Sequence, residues 1–280
     1  MRFLANLHKI DRRIVYLLLA AVVALPLVSD IVRLPLITKH VRPVYDAIES
    51  IPTNNRGVRK IAIISIVWSA GTFAENRPQT EVLARHFFRR GIPFAILPWD
   101  QQGTTLAFNA VERVAKEMGK KYGVDWMSFG FQPFSAQIIQ GLGTNLPRTL
   151  KRDKFGTPLS QIPMMKGIEN AQNLCMVAEV TPSGTVPTWI SFIGQPYRVP
   201  IAYAPTSVML AEGYNLVDAK QVVGMIPGLV GAAEYDKLLG HSGFALRGAN
   251  ALSTSHILII VLIILGNVGY LMSRRQQRQS

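Results

Sequence analysis

Short apolar strands alternating with amphipathic helices predict an α/β fold. The expected architecture is a mostly parallel, Rossmann-like sheet with helices on both faces, flanked by N- and C-terminal transmembrane helices. Three observations carry this. Lys60–Gly91 reads as strand, turn and helix, with a second strand beginning at Pro93. The alternation then recurs as far as Ala204. An uncharged apolar stretch stands near each end of the 280-residue chain.

Ile61–Trp68 is apolar and β-branched, as expected of a strand covered on both faces. Ser69–Thr72 can turn tightly. Asn76 with Pro78 two residues on has the pattern of an N-cap followed by proline in the first turn, and Glu75 and Glu81 suit the positive helix end. Val82, Leu83, His86 and Phe87 recur at helical spacing, and Gly91 is placed to end the helix.

Further on, Phe94–Leu97, Asp125–Phe129, Leu174–Val180, Thr188–Ile193 and Ile201–Ala204 read as strands. Thr80–Arg90, Thr105–Lys121, Ser135–Leu142 and, more briefly, Pro163–Asn170 read as helices. Val41–Ile51 has the spacing of a short amphipathic helix, and Pro52–Gly57 of a turn. Asp218–Leu239 is the last helix expected in the domain, with Pro227 to kink or divide it. On that helix Gly224, Gly228 and Gly231 would share a face, and small residues there allow close helix approach.

The two ends point to a membrane. Ile14–Val28 is uncharged behind a basic start and reads as an uncleaved signal-anchor, because Leu27-Val28-Ser29 is a poor cleavage site. Near the other end, Ile257–Leu265 is an unbroken run of Ile, Leu and Val. Such a run contributes about −3 to −5 kcal/mol to insertion. Arg274 and Arg275 follow as a basic stop. Seven Lys or Arg lie in the tails, against Arg33, Lys39, Arg42 and Arg247 on the inner flanks, so both termini are expected in the cytoplasm. The expected organisation is a cytoplasmic tail (1–13), a transmembrane helix (14–34), an extracytoplasmic α/β domain (35–250), a transmembrane helix (251–273) and a cytoplasmic tail (274–280).

The formal charge is +13 with 30 basic residues, and seven of those flank the apolar ends. The basic excess is thus partly a membrane signal. With no zinc pattern, RNP-like run or dense basic helix, no nucleic-acid partner is expected. Cys175 is the one cysteine, so no intrachain disulfide forms, and its apolar neighbours suggest a buried thiol. The five histidines form no metal-binding spacing, and neither glycine-rich nucleotide motif occurs, so no metal or cofactor is expected. There is also no G-x-S-x-G elbow.

Ligands of open α/β sheets sit at the carboxyl ends of the strands. Trp68, Trp99, Phe129 and Phe131 fall there, with Trp189 and Phe192 on a later strand. The expected ligand-binding set is Trp68, Ser69, Gly71, Arg77, Trp99, Asp100 and Phe131: aromatics to stack, a turn with free N–H groups, and charges to orient. Glu179, inside an apolar strand, needs a partner or a raised pKa, with Arg77 or Arg198 as candidate partners.

The function expected from these features is a membrane-anchored structural or assembly subunit. It would make homo-oligomeric or heteromeric contacts through Gly224, Gly228, Gly231 and Asn267, beside the lipid bilayer. The alternatives are a membrane-tethered ligand-binding domain, or an enzyme acting on a lipid-linked or envelope substrate through Asp100 or Glu75.

Overall fold

Ile61–Ile66 forms the central strand β1, and all six residues are buried, as their unbroken apolar run requires. The computed structural model describes residues 11–28, 37–53, 59–241 and 243–277. The chain divides into two compact units. One is Pro35–His241; the other combines Met1–Leu34 with Ser242–Ser280.

In chain order, α1 is Arg12–Val28, α2 Arg42–Glu49, α3 Phe73–Arg90 and α4 Gln101–Glu117. Then come α5 at Ala136–Thr144, α6 at Val186–Trp189, α7 at Leu210–Asp218, α8 at Gly228–Leu238 and α9 at Phe244–Gln277. The remaining strands are β2 (Phe94–Pro98), β3 (Trp126–Ser128), β4 (Leu174–Thr181), β5 (Ile201–Pro205) and β6 (Gly224–Met225).

The six strands form one sheet in the order β3-β2-β1-β4-β5-β6, and every neighbouring pair is parallel. This is the Rossmann strand order, which reverses direction between β1 and β4. Crossovers of one hand then place the first helices on one face and the later ones on the other. Accordingly α3 and α4 cover one face. The opposite face packs Ile63, Leu97, Val177 and Ile201 against Ile139 and Leu142 of α5, Trp189 of α6 and Leu216 of α7. Burying each large side chain contributes about 1.5–3 kcal/mol. The α2 segment covers the β6 edge, where Met225 N donates to His40 O at 3.0 Å. Cys175 is a buried free thiol in β4, pushed up to about 12 by burial.

Several expectations are corrected. Thr188–Ile193 is helical: α6 runs into a π-helical turn over Ile190–Gly194. Pro187 in the first turn pre-sets a helical φ, and Trp189, Ile190 and Ile193 are buried at helical spacing, which a short apolar run does not reveal. The single helix expected over Asp218–Leu239 is three pieces: the end of α7, then β6, then α8 with Pro227 at its N-cap. The expected Asn76 cap is displaced, because Ala70–Thr72 already winds as a 3-10 turn that leads into α3 at Phe73. Part of the expected Pro52–Gly57 turn lies outside the described residues.

The unit built from the chain ends pairs α1 with α9, and the Thr254 hydroxyl donates to Val22 O at 3.2 Å. Among the described residues one helix is long and apolar enough to cross a membrane, Phe244–Met272, with 29 residues. At about 1.5 Å per residue it exceeds the roughly 30 Å hydrocarbon core. The second spanning helix, expected over 14–34, is not found at full length. The helix α1 has 17 residues with Pro26 inside, and positions 29–34 lie outside the described residues.

Candidate functional site

Parallel register puts Leu97, Ser65, Glu179, Tyr203 and Met225 in one row across β2, β1, β4, β5 and β6. Side chains alternate along a strand, so this row shares one face of the sheet. Its ends are apolar. Its middle, astride the β1/β4 reversal, is Ser65, Glu179 and Tyr203, all fully buried.

Two indoles converge on Ser65. Its Oγ accepts from Trp99 Nε1 at 2.7 Å and Trp189 Nε1 at 3.2 Å, and the two rings meet edge-on with centroids 6.3 Å apart. With its acceptor sites taken, the Ser65 hydroxyl keeps a proton to offer, and Glu179 is its register partner on the next strand. Glu179 Oε1 accepts from the Thr185 hydroxyl, which hangs from the loop after β4. Oε2 has no hydrogen-bond partner, and neither does the hydroxyl of Tyr203, the register partner of Glu179 on β5.

Burial pushes Glu179 up to about 7, and the hydrogen bonds of Ser65, Thr185 and Trp189 hold it from going further. Tyr203 is pushed up by burial first, then by the charges of Glu212 and Glu179. Near neutral pH this row therefore holds a carboxyl balanced between its two forms, next to a phenol that stays protonated.

No family model, curated protein or solved structure matches this chain. The site is read from its own geometry.

The residues expected at the ligand edge are spread over both faces. Trp68 lies on the α3 face, where its Nε1 donates to Thr80 Oγ1 at 3.1 Å and its ring meets Phe73. Trp99 lies on the opposite face, on Ser65. The sheet thus separates the two, and they do not line one cleft. Ser69 is half-buried in the loop after β1, and Gly71 is exposed with open space around it. Arg77 pairs with Glu81 at 2.7 Å. Asp100 caps α4 by accepting from Gly103 N at 2.7 Å. Phe131 is exposed beyond β3. The arginine partner expected for Glu179 is replaced by hydroxyls and an indole; Arg77 is engaged on α3 and Arg198 is exposed.

The polar run Glu75–Glu81 ties α3 to the strand ends. Glu75 Oε2 accepts from Ser207 N at 2.8 Å and Ser207 Oγ at 2.6 Å. Gln79 Nε2 donates to Pro205 O and Ile226 O, both at 2.7 Å.

Gly224, Gly228 and Gly231 do not share a helix face, because Pro227 and β6 interrupt the helix expected there. Each makes a close contact inside the domain. A Cβ on Gly224 would lie 2.7 Å from His40 O, on Gly228 2.5 Å from Glu75 Oε2, and on Gly231 2.3 Å from Pro227 Cδ. Asn267 Nδ2 donates to Ile263 O on its own helix at 2.9 Å. Among the described residues no group of three His, Cys, Asp or Glu could hold a metal.

Tyr203, Thr185 and Ser65 are the site residues that sequence reasoning missed. A tyrosine and a serine at matched positions of apolar strands were the available signal. Their significance depends on register, which no local pattern carries.

Proposed function

We propose that this chain is a membrane-anchored ligand-binding protein. Its α/β domain is tethered at both ends to helices in the bilayer, lies on the extracytoplasmic side and takes a small polar ligand at the β1/β4 crevice. The carrying observation is that two register-paired residues on the neighbouring strands β4 and β5 each bury a polar atom without a hydrogen-bond partner, Glu179 Oε2 and the Tyr203 hydroxyl. Each such group costs about 1–3 kcal/mol when left unsatisfied. A ligand with one donor and one acceptor recovers both costs.

Several features support this reading. The row lies just below the carboxyl ends of β1 and β4, at the strand reversal beside which open α/β sheets bind ligands. Trp99 and Trp189 add apolar walls. The partly exposed loop 182–185 stands over the carboxyl through the Thr185 hydroxyl. Its raised pKa leaves Glu179 partly protonated near neutral pH, so it can both donate to and accept from a neutral hydroxyl or amide. The lysine and arginine asymmetry of the ends supports cytoplasmic termini. An oligomeric role rests on small residues whose close contacts are made within the domain, so ligand binding is the preferred reading.

The test is thermal stabilisation of the full chain in mild detergent against a panel of small polyols and amides. A ligand at a hundred times its dissociation constant adds about 2.7 kcal/mol. The expected result is stabilisation by at least one compound, abolished in Glu179→Ala and weakened in Tyr203→Phe. A hit retained by both variants, or no hit at all, overturns the reading.

A further inference from the structure

A groove of about 570 Å³ opens beyond the carboxyl end of β3, between the segments Phe129–Gln132 and Thr149–Lys154. It is separate from the Glu179 row, and its chemistry is different. Lys151 and Arg152 are exposed on it and Lys154 is half-buried. Asp153 is the one acid among its lining residues, and that charge is already engaged. Its Oδ1 accepts from the backbone N of Phe155 at 2.9 Å and of Thr157 at 2.8 Å, and its Oδ2 accepts from Tyr122 at 3.0 Å.

The basic residues sit on a rigid frame. Leu159 N donates to Lys151 O and Asp153 N to Thr157 O, closing a tight hairpin. Lys154 N donates to Ser128 O at 2.8 Å, which docks the hairpin on the end of β3. Gly130, with φ +72°, makes that docking possible, since a Cβ there would stand 3.2 Å from Lys154 Cα. Arg152 Nη1 donates to Gly156 O at 2.8 Å, which orients the guanidinium and leaves it further donors. Lys154 Nζ lies 4.3 Å from the Phe108 ring centre and 5.0 Å from that of Phe155. Phe131 is 46% exposed, a large apolar surface lining the same groove as Lys151 and Arg152.

We propose that this groove is an anion site. It takes the phosphate of a ring-bearing small molecule on Lys151 and Arg152, with Phe131 as the platform for the ring. A guanidinium already oriented by Gly156 O binds a phosphate at a lower ordering cost, the exposed Lys151 adds charge, and an exposed aromatic adds selectivity for a sugar-like ring. The phosphate can come from a soluble ester or from a lipid headgroup.

Calorimetric titration of the full chain in neutral detergent tests this, with glucose 6-phosphate, inorganic phosphate and glucose as probes. Glucose 6-phosphate is expected to bind and glucose not. The double variant Lys151→Ala/Arg152→Ala should weaken binding at least about tenfold, since hydrogen bonds to charged groups contribute about 1.5–3 kcal/mol. Phe131→Ala should weaken the sugar phosphate and leave inorganic phosphate unchanged. All three residues are exposed, so the variants keep the fold, and an unchanged Tm checks this. Absence of phosphate-dependent binding, or binding indifferent to the double variant, overturns the proposal. Repeating the titration in nanodiscs containing phosphatidylglycerol separates the sources. Competition by the lipid supports a headgroup, and undiminished glucose 6-phosphate binding supports a soluble ester.

Discussion

Two buried titratable side chains in the domain pull stability in opposite directions with pH. Glu179 is held near 7 instead of 4.5 because burial penalises its charge. A carboxyl whose folded pKa lies above its unfolded one contributes fully below about 4.5 and loses that contribution as pH rises through 7. The loss amounts to about 3 kcal/mol for a shift of this size. His86 behaves inversely. Burial lowers it from 6.5 to about 4 against the raising effect of Glu49, so its contribution is full above 6.5 and fades as pH falls toward 4. Its neutral form fits its neighbours: Nε2–H donates to Glu49 Oε1 at 3.0 Å, and Nδ1 accepts from Tyr235 at 2.7 Å. Glu49 is held at about 2, because the hydrogen bonds and charges of His86 and Arg89 outweigh its desolvation. Between pH 4.5 and 6.5 the Glu179 and His86 slopes oppose each other in the native protein. Glu179→Gln removes the falling slope, so its stability in urea should rise with pH across that window more steeply than the parent's. Parallel profiles would show that the buried carboxyl is not what the fold keeps neutral.

Close backbone approach decides how the elements dock. The helix α4 starts against the segment that follows β1, and a Cβ on Gly103 would stand 2.2 Å from Trp68 O. Gly103→Ala must push the helix away and should cost about 2–3 kcal/mol in chemical denaturation. Gly71→Ala, one loop away in open space, should stay within about 0.5 kcal/mol. Equal effects at the two positions would refute this account of the packing. Long periodic elements such as α3 and α4 were legible from their apolar spacing. The helix α6 and strand β6 were not: each is a short apolar run, and length and periodicity decide between helix and strand only over longer stretches.

For the molecule as a whole, the ends carry the prediction. Single cysteines at Gln102, which is exposed, and at Gln277 in a Cys175→Ser background would be probed on intact cells with an impermeant maleimide. Labelling at position 102 alone is expected from cytoplasmic termini. Labelling at 277 alone would put the domain in the cytoplasm and reverse the proposed orientation.

Alternation of strand and helix, and the apolar length of the C-terminal helix, are properties of neighbouring residues, so the α/β class and a stretch long and apolar enough to cross a membrane could be read from the chain directly. The sheet order, the separation of Trp68 from Trp99 by the sheet, and the meeting of Ser65, Glu179 and Tyr203 depend on which strands pair and in what register. Glu179 could be singled out as a buried acid by its apolar neighbours, but the partners the sequence suggested, Arg77 or Arg198, are not the ones it has. Its actual partners come from β1 and the loop after β4, brought together by parallel pairing. Such pairing is fixed by the packing of both sheet faces at once, and no local stretch of sequence encodes it alone.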